Sequence, residues 1–236
     1  MSTIISTLRI KFFVLLSVCL FAVQTVWGQS GNWTDYKASG YASGTGTAND
    51  PYVIQTAAQL AYFAARVTSG QADRTKCFVL DSDINLSEHF WVPIGSIKSD
   101  QSGSGYEFSG TFDGRGHTIS NMTVIWEASA STDKRCYGLF SSLRGPAKVC
   151  NFILDNALLY NKEATATPDA TEDRLVAPLA ALIYVNVTIQ NIIVRNSKVE
   201  VRDPFNSKDK YFVIGGCIAK YNNNEDKLYF IKFNNF

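Results

Sequence analysis

The sequence contains little of what several common functions require. Its 236 residues include only two histidines, His89 and His117, which excludes a three-histidine zinc site. Any serine–histidine–aspartate device would have to use one of these two. Lysine and arginine (22) barely outnumber aspartate and glutamate (21), which argues against a polybasic nucleic-acid-binding protein. With 46% hydrophobic and 18% charged residues the chain is not disordered, so we expect an ordered, nearly neutral protein.

The chain also lacks a long hydrophobic run. Arg9 and Lys11 precede an apolar segment, residues 12–23, that contains a single serine. Twelve helical residues rise about 18 Å, well short of the ~30 Å hydrocarbon core of a bilayer, so a membrane anchor is the weaker interpretation. The basic start, the short apolar segment and the small residue Gly28 predict that residues 1–28 are a secretory signal peptide. The sequence therefore predicts export to the cell surface, the outer membrane or the extracellular space.

Cysteine spacing gives no metal or redox motif. Four cysteines follow the predicted cleavage site: Cys77, Cys136, Cys150 and Cys217. They allow three disulfide pairings, and the sequence does not choose among them. None of the spacings is C-x-x-C, so the cysteines are expected to be small apolar residues in strands, although an oxidising compartment would permit a disulfide.

One segment has helical periodicity. Thr56 and Gln59 form a Thr-x-x-Gln capping box. Apolar residues then recur at i, i+3, i+4 and i+7: Leu60, Phe63, Ala64 and Val67. Gly70 occupies the position of a left-handed C-terminal cap. We therefore predict that residues 29–76 form an irregular N-terminal segment and a single helix, which caps the strand-rich remainder.

From Cys77 onward the hydrophobic period is two, which is typical of β-strands. One face of the first such segment is apolar: Phe78, Leu80, Ile84 and Leu86. The other face is polar: Asp81, Asp83 and Asn85. The run Asp113-Gly114-Arg115-Gly116 predicts a tight turn into a further strand over residues 117–125.

The strand-rich part, residues 77–236, repeats itself. The pattern x-(Ile/Val)-x-Asn-apolar-x-apolar occurs at residues 118–124, 148–154 and 188–194. A second element has copies at residues 138–143, 177–182 and 215–220. Repetition at such a period indicates a solenoid, a propeller or an array. Because each repeat holds short strands without helical periodicity, we predict an all-β parallel β-helix, with a β-propeller as the alternative.

The asparagines of the first pattern, Asn121, Asn151 and Asn191, are expected to stack at one corner of the β-helix. Asparagine tolerates the left-handed backbone of a sharp bend, and its amide can bond to the repeats on either side. Ordinary loop composition is the alternative explanation. Since each asparagine lies inside an apolar strand pattern, we favour a structural ladder.

Several stretches carry a family resemblance: GTGTANDPYVI (44–54), 58–61, 80–86, 91–95 and FSGTFDGRGHTI (108–119). Together with GLFSSL (138–143) they resemble secreted bacterial β-helix proteins with GLUG motifs. The resemblance covers most of residues 33–160, and Ala177-Pro178 replace the glycines of the next copy. It implies a right-handed parallel β-helix at the cell surface, often within larger adhesin-like or secreted proteins. The family has no single assigned reaction, so no catalytic residues follow from it.

Asp81 and Asp83 are the candidate metal ligands. Together with Asn85 they offer oxygen ligands that suit Ca²⁺, but three ligands on one flat strand cannot surround an ion that takes six to eight. A solvated strand face is therefore the preferred interpretation, and no other cofactor is predicted. Asp113 could act as an acid partnered by Arg115 or His117, but we expect it to accept a hydrogen bond from the backbone two residues on.

Aromatic residues are the candidate ligand-binding groups. Exposed rings could stack on sugars, and the candidates are Trp33, Trp91 and Trp126, together with Tyr36. The alternative is that these rings belong to the core or to a cap. The acidic residues between positions 133 and 173 are scattered through predicted loops, so they form no catalytic carboxylate pair and no catalytic residue is predicted.

Residues 227–236 form an apolar strand pattern with no polar cap after it. An uncapped solenoid end exposes unpaired strand edges. We therefore expect either a fragment of a longer array or a second subunit that covers this end, which would allow end-to-end self-association.

Taken together, these features predict an exported, non-enzymatic, adhesin-like protein that contacts surface glycans or proteins of a host or neighbouring cell, and not nucleic acid. A polysaccharide lyase or glycoside hydrolase on the same scaffold is the alternative, and a purely structural spacer is a third possibility.

Overall fold

The computed structural model describes five stretches of the chain: residues 29–97, 105–126, 136–161, 174–200 and 212–222. The predicted signal peptide (1–28) and the predicted apolar strand at 227–236 lie outside the described residues. The described part is rich in short strands and contains one α-helix, so the protein is broadly all-β.

In the described part of the chain, two short 3₁₀ turns, Trp33–Asp35 and Ala72–Thr75, flank the α-helix α1 (Ala57–Thr68). The strands are β1 (Tyr52–Ile54), β2 (Cys77–Leu80), β3 (Ile84–Asn85), β4 (Thr111–Asp113), β5 (Thr118–Ser120), β6 (Thr123–Trp126), β7 (Cys136–Tyr137), β8 (Phe140–Leu143), β9 (Lys148–Asp155), β10 (Leu158–Asn161), β11 (Arg174–Val176), β12 (Ala180–Tyr184), β13 (Thr188–Arg195), β14 (Lys198–Glu200), β15 (Phe212–Ile214) and β16 (Ile218–Asn222).

Helix α1 begins and ends where its local sequence predicts. The Oγ1 atom of Thr56 accepts a hydrogen bond from the backbone N–H of Gln59 at 3.2 Å, which satisfies one of the unpaired donors of the first turn. The Gln59 side chain accepts from the backbone N–H of Gln55 at 2.8 Å, one residue earlier than a regular capping box requires. Gly70 has a φ of 76°, which confirms the predicted left-handed cap.

The strands of the described residues form four sheets, and every pairing between these named strands is parallel. The largest sheet has the strand order β1-β2-β4-β9-β5-β3, and β13 also pairs with β9. The other three each hold three strands, in the orders β6-β10-β14, β7-β11-β15 and β8-β12-β16. The propeller alternative is wrong, because propeller blades are antiparallel.

Strands of one sheet come from successive repeats of the sequence. From β2 onward, register partners are between 34 residues apart, as in Cys77 opposite Thr111, and 40 residues apart, as in Lys148 opposite Thr188. The long strand β9 joins two positions of the repeat, since its first half pairs with β4 and its second half with β5. Stacking of this kind buries one continuous apolar face across the repeats.

An aromatic column connects helix α1 with the interior of the repeats. The ring of Phe63 on α1 lies 4.1 Å from that of Phe78 and 5.9 Å from that of Phe112, measured between centroids. Phe112 in turn contacts Phe140 at 5.8 Å and Phe152 at 5.6 Å. All five side chains are at most 2% exposed, so the helix and three successive repeats share one core.

A buried carboxylate ties the N-terminal segment to the helix. The side chain of Asp73 is 5% exposed and accepts hydrogen bonds from the Tyr41 hydroxyl and from Nη2 of Arg66, the latter at 2.7 Å. Burial, reinforced by the contact with Asp73, raises the pKa of Tyr41 above its ordinary value, so the phenol stays protonated and remains a donor. One carboxylate thereby links the segment before β1 to α1.

Candidate functional site

The outer surface of the repeats carries two columns of hydrogen-bonded side chains, one of which contains Asp113, Asn151 and Asn191. Nδ2 of Asn191 donates to Oδ1 of Asn151 at 3.0 Å, and Nδ2 of Asn151 donates to Oδ1 of Asp113 at 3.0 Å. Each amide therefore joins its repeat to the preceding one. We call this set column A.

A second column contains Asn85, Asn121 and Asn156. Nδ2 of Asn156 donates to Oδ1 of Asn121 at 2.7 Å, and Nδ2 of Asn121 donates to Oδ1 of Asn85 at 2.9 Å. Asn196 follows in the next repeat, where its Nδ2 donates to Oδ1 of Asp155 at 2.8 Å. We call the set Asn85, Asn121 and Asn156 column B.

The prediction of a single column requires a correction, because Asn151 and Asn191 lie in column A whereas Asn121 lies in column B. The cause is the register of β5, whose residue Thr118 pairs with Ile153 in the second half of β9. Each of the two later repeats carries two asparagines five residues apart, Asn151 and Asn156 in one and Asn191 and Asn196 in the next. The sequence around Asn121 therefore resembles two positions of the next repeat, Asn151 and Asn156. The sequence prediction aligned Asn121 with Asn151, whereas in the structure it bonds to Asn156.

The columns stand at bends of the backbone. Asparagines of both columns have left-handed φ angles: Asn121 (57°), Asn151 (60°), Asn156 (54°) and Asn191 (53°). This conformation costs most L-residues roughly 1–2 kcal/mol, and asparagine is among the few that adopt it routinely. The left-handed bend therefore explains why asparagine occupies these positions.

Two substitutions of Asn151 separate the stability that comes from the hydrogen bonds of column A from that which depends on the left-handed bend. Asn151→Ala removes both inter-repeat hydrogen bonds and leaves a Cβ at positive φ, and we expect it to lower the free energy of unfolding by about 2–3 kcal/mol. Asn151→Gly removes the same hydrogen bonds but permits the bend, so its loss should be about 1 kcal/mol smaller. Urea unfolding of both variants measures the difference, and equal losses would contradict a role for the left-handed bend.

The candidate metal ligands hold protein groups instead of facing a common centre. Oδ1 of Asp83 accepts from the backbone N–H of Thr118 at 2.8 Å and lies 3.2 Å from Nδ1 of His117. The Thr118 hydrogen bond, followed by that of His117, holds the pKa of Asp83 below its usual range. Asp81 accepts from Nε2 of Gln55 at 3.0 Å. Within the described ranges, no group of three or more His, Cys, Asp or Glu side chains is placed to hold a metal ion.

Asp113 has the turn role predicted for it. Its Oδ1 accepts from the backbone N–H of Arg115 at 2.9 Å, two residues on, and also from Asn151 of column A. The carboxylate therefore accepts one hydrogen bond within its own turn and one from the next repeat. The described cysteines, Cys77, Cys136, Cys150 and Cys217, form no disulfide with one another.

The three tryptophans expected to contact ligands are buried, and this prediction is wrong. Trp33, Trp91 and Trp126 are 5%, 3% and 1% exposed. The indole N–H groups of Trp33 and Trp91 donate to the carbonyl oxygens of Leu86 and Leu139, both at 3.2 Å. Because the one polar atom of Trp33 and of Trp91 finds an acceptor inside the protein, these large rings are more stable in the core than on the surface.

Tyr36 is the exposed aromatic residue of the N-terminal segment. Its side chain is 52% exposed, and its ring lies 3.7 Å from that of His89 at an interplanar angle of 3°. Nδ1 of His89 lies 2.6 Å from the carbonyl oxygen of Ser30, and because a carbonyl only accepts, this nitrogen carries the proton. One face of Tyr36 thus rests on an oriented imidazole. We call Tyr36 and His89 the aromatic stack.

The turn that carries His89 follows the first residue of column B in sequence. Asn85 begins that column, and its Oδ1 also accepts from the backbone N–H of Ser87 at 3.1 Å, which opens the turn that carries His89. His89 of the aromatic stack thus lies four residues after Asn85 in the chain. No sequence signal identified His89, because its contact with Tyr36 joins segments 53 residues apart. None of the helices that the structure describes has the length and apolar character needed to cross a membrane.

Comparison with known proteins gives one partial similarity. Halomucin from Haloquadratum walsbyi (strain DSM 16790 / HBSQ001) is 31% identical to this chain over 145 residues, which are 56% of this chain and 2% of halomucin. The similarity thus concerns part of this chain and a very small part of a far longer protein. No protein-family model matches the chain, and no solved structure matches it.

Proposed function

We propose that this chain is an exported, non-enzymatic surface protein that folds as a right-handed parallel β-helix and contacts glycans through the aromatic stack and column B. Parallel strands from successive repeats and left-handed asparagines at the bends support the β-helix. The resemblance to secreted GLUG-motif proteins supports its handedness and its location. Similarity to part of halomucin, whose name denotes a mucin, fits a location outside the cell.

The exposed stack of Tyr36 on His89 is the observation that carries the glycan proposal. A pyranose ring has an apolar face that packs on aromatic rings, and its hydroxyl groups pair with amides and carboxylates. Tyr36 is held against His89 on one side and is half-exposed. Column B begins at Asn85, four residues before His89 in the chain, and presents a row of amide groups. A sugar chain seated on Tyr36 would find hydrogen-bonding partners along the column.

The carboxylates favour binding over hydrolysis. A glycosidase needs one carboxyl group that stays protonated near neutral pH, usually through burial in an apolar pocket. The pKa of Asp83 is instead lowered by its hydrogen bonds, and Asp113 accepts from Arg115 and Asn151. The lowered pKa keeps Asp83 ionised, and both carboxylates are bonded to protein groups, which suits the structural role proposed for them.

Substitution of Tyr36 tests the proposal. For a polysaccharide identified by screening the exported chain, we expect Tyr36→Ala to weaken binding about tenfold, the equivalent of roughly 1.4 kcal/mol of lost stacking. Tyr106→Ala is the matched control, because Tyr106 is also an exposed tyrosine (39%) but does not belong to the aromatic stack. Isothermal titration calorimetry measures both affinities.

Three results would contradict the proposal. Equal weakening by Tyr36→Ala and Tyr106→Ala would remove the aromatic stack from the binding surface. Release of new chain ends from the polysaccharide, abolished by Asp83→Asn or Asp113→Asn, would favour the enzyme. Failure to bind any polysaccharide in the screen would favour a structural spacer.

A further inference from the structure

The turn that joins β12 to β13 contains the sequence Asn186-Val187-Thr188. Asparagine followed two residues later by serine or threonine, with any residue except proline between them, is the acceptor sequence for N-linked glycans. Asn186 has a left-handed φ of 60°, and both Asn186 and Thr188 are exposed. The two residues that define an acceptor therefore both lie at the surface of this turn.

Asn186 differs from the other asparagines with left-handed backbone. Each of those in the described residues donates its Nδ2 to a side chain of the preceding repeat: Asn121, Asn151, Asn156, Asn191 and Asn196. On both sides of the turn, register partners are 40 residues apart, as in Thr188 opposite Lys148, so Pro146 precedes Asn186 in the stack. The side chain of proline has no hydrogen-bonding group, and no described residue makes a hydrogen bond with the Asn186 side chain. The amide of Asn186 therefore belongs to neither column.

The three other acceptor sequences of the chain are held more firmly by the fold. They begin at Asn32, Asn85 and Asn121, and their central residues are buried: Trp33 (5%), Leu86 (0%) and Met122 (0%). The central residue of the turn, Val187, is only partly buried. To be modified in a folded chain, an acceptor must leave the surface and enter the active site of a transferase. Exposing a buried apolar side chain opposes such a local opening, so the fold favours Asn186 over the other three.

We propose that Asn186 is an acceptor for an N-linked glycan in the exported chain. The donor is a sugar carried on a lipid pyrophosphate, and a transferase recognises the Thr188 hydroxyl beside the amide. Nδ2 of Asn186 forms a C–N bond to the anomeric carbon of the sugar. The bond from that carbon to the pyrophosphate oxygen breaks, its electron pair leaves with the pyrophosphate, and the proton lost by the amide passes to a base of the transferase. This inference rests on the export proposed above and does not require glycan binding by the aromatic stack.

Modification of the folded chain in solution tests the choice of asparagine. The full chain, produced without glycans, is incubated with a purified single-subunit oligosaccharyltransferase and a lipid-linked oligosaccharide. We expect mass spectrometry to find the glycan on Asn186 at least about tenfold more often than on Asn32, Asn85 or Asn121, whose modification needs a costlier opening. Free peptides of residues 117–126 and 182–191, which have no fold, should be modified at rates within about threefold of each other.

Three results of this experiment would overturn the proposal. The first is the absence of a glycan from Asn186 in the folded chain. The second is equal modification of Asn186 and Asn121. The third is a tenfold preference that is already present between the two free peptides, because the fold would then not be the cause of the selection.

Substitutions of the hydroxyl residue separate recognition from folding. Thr188→Val keeps the branched shape that suits a strand but removes the hydroxyl, and we expect it to reduce glycan attachment at Asn186 at least about twentyfold. Thr188→Ser keeps the hydroxyl and should retain at least about one third of the attachment. Thr123→Val, which removes the hydroxyl of the acceptor at Asn121, is the matched control and should leave attachment unchanged. Attachment to Thr188→Val at the wild-type level would overturn the proposal.

The chain recovered from the cells that make it distinguishes a failure of export from a failure of this inference. If the chain outside the cell begins at Gln29 and Asn186 carries no glycan, export is supported and the glycan proposal is overturned. If the chain stays inside the cell with residues 1–28 attached, the proposed function fails, and so does the part of this inference that rests on export. An exported chain with the glycan on Asn186 supports both.

Discussion

Asp73→Asn is expected to lower the free energy of unfolding by about 2–3 kcal/mol. Removing one partner of a buried ion pair typically costs about 3–5 kcal/mol, because the other charge is left without a counter-charge. The side chain of Asp73 is 5% exposed, but that of its partner Arg66 is 37% exposed, so solvent reduces the loss. The hydroxyl of Tyr41 also donates to Asp73, and asparagine keeps that acceptor. Urea unfolding at neutral pH measures the change.

The loss at Asp73 should depend on pH. Burial is the largest influence on its pKa and acts to raise it, but the hydrogen bonds from Arg66 and Tyr41 together hold the pKa of Asp73 below its usual value. A carboxyl group with a lowered folded-state pKa stabilises the protein above the unfolded-state value of about 3.9 and loses this contribution as the pH falls through the folded-state pKa. The difference between wild type and Asp73→Asn should therefore shrink below about pH 4.

Asp81→Asn is the control for this prediction. Asp81 also contacts two side chains, Gln55 and Arg115, but its own side chain is 47% exposed. Exposed pairs of this kind contribute little to stability, so we expect a much smaller change than at Asp73. If the two variants lost stability equally, or if the loss at Asp73 did not depend on pH, burial of the Asp73 carboxylate would not be the cause.

Features fixed by neighbouring residues were predictable from the sequence. Helix α1 lies where the capping box and the 3.6-residue period place it, because a cap and an apolar face involve residues within a few turns of each other. The turn role of Asp113 is equally local, since it joins a side chain to a backbone N–H two residues on. These interactions leave a signal in a short window of sequence.

Register was less predictable because it is set between distant segments. The repeated pattern identified asparagines that do stack, but Asn121 pairs with Asn156 and not with Asn151. Two similar bends within one repeat offer two alignments that satisfy the apolar pattern equally well. Only the pairing of β5 with the second half of β9 distinguishes them, and that choice depends on the three-dimensional course of the chain.

The candidate site was the least predictable part. An aromatic residue type does not specify whether the ring is buried, and Trp33, Trp91 and Trp126 all lie in the core. Tyr36 directly follows the 3₁₀ turn Trp33–Asp35, and it is exposed because its ring packs on His89 at the surface. Exposure here results from a contact between segments far apart in sequence, for which a single sequence carries no signal.

Phe112→Ala is expected to have the largest effect of the substitutions considered, about 3–5 kcal/mol of unfolding free energy. Phe112 is fully buried, and its ring contacts Phe63 of helix α1 as well as Phe140 and Phe152 of the next repeat. Alanine would leave a cavity at the point where the helix and two repeats meet. Urea unfolding followed by tryptophan fluorescence measures the loss, and Phe112→Leu, which retains most of the volume, should lose less than half as much.

The Phe112→Ala variant also tests how strongly the attachment of helix α1 depends on its contacts with the repeats. In stacked-repeat proteins stability is roughly the sum of contacts between neighbours, so a cavity beneath α1 should weaken the attachment of the helix more than the pairing of distant strands. We expect the amides of α1 in Phe112→Ala to exchange faster than those of β12, which pairs with β8 and β16 whereas the strand of Phe112 pairs with β2 and β9. Equal acceleration in α1 and β12 would instead indicate that the chain unfolds as one cooperative unit. The aromatic column would then connect all repeats, and Phe112 would contribute to the stability of the entire core and not to that of the helix alone.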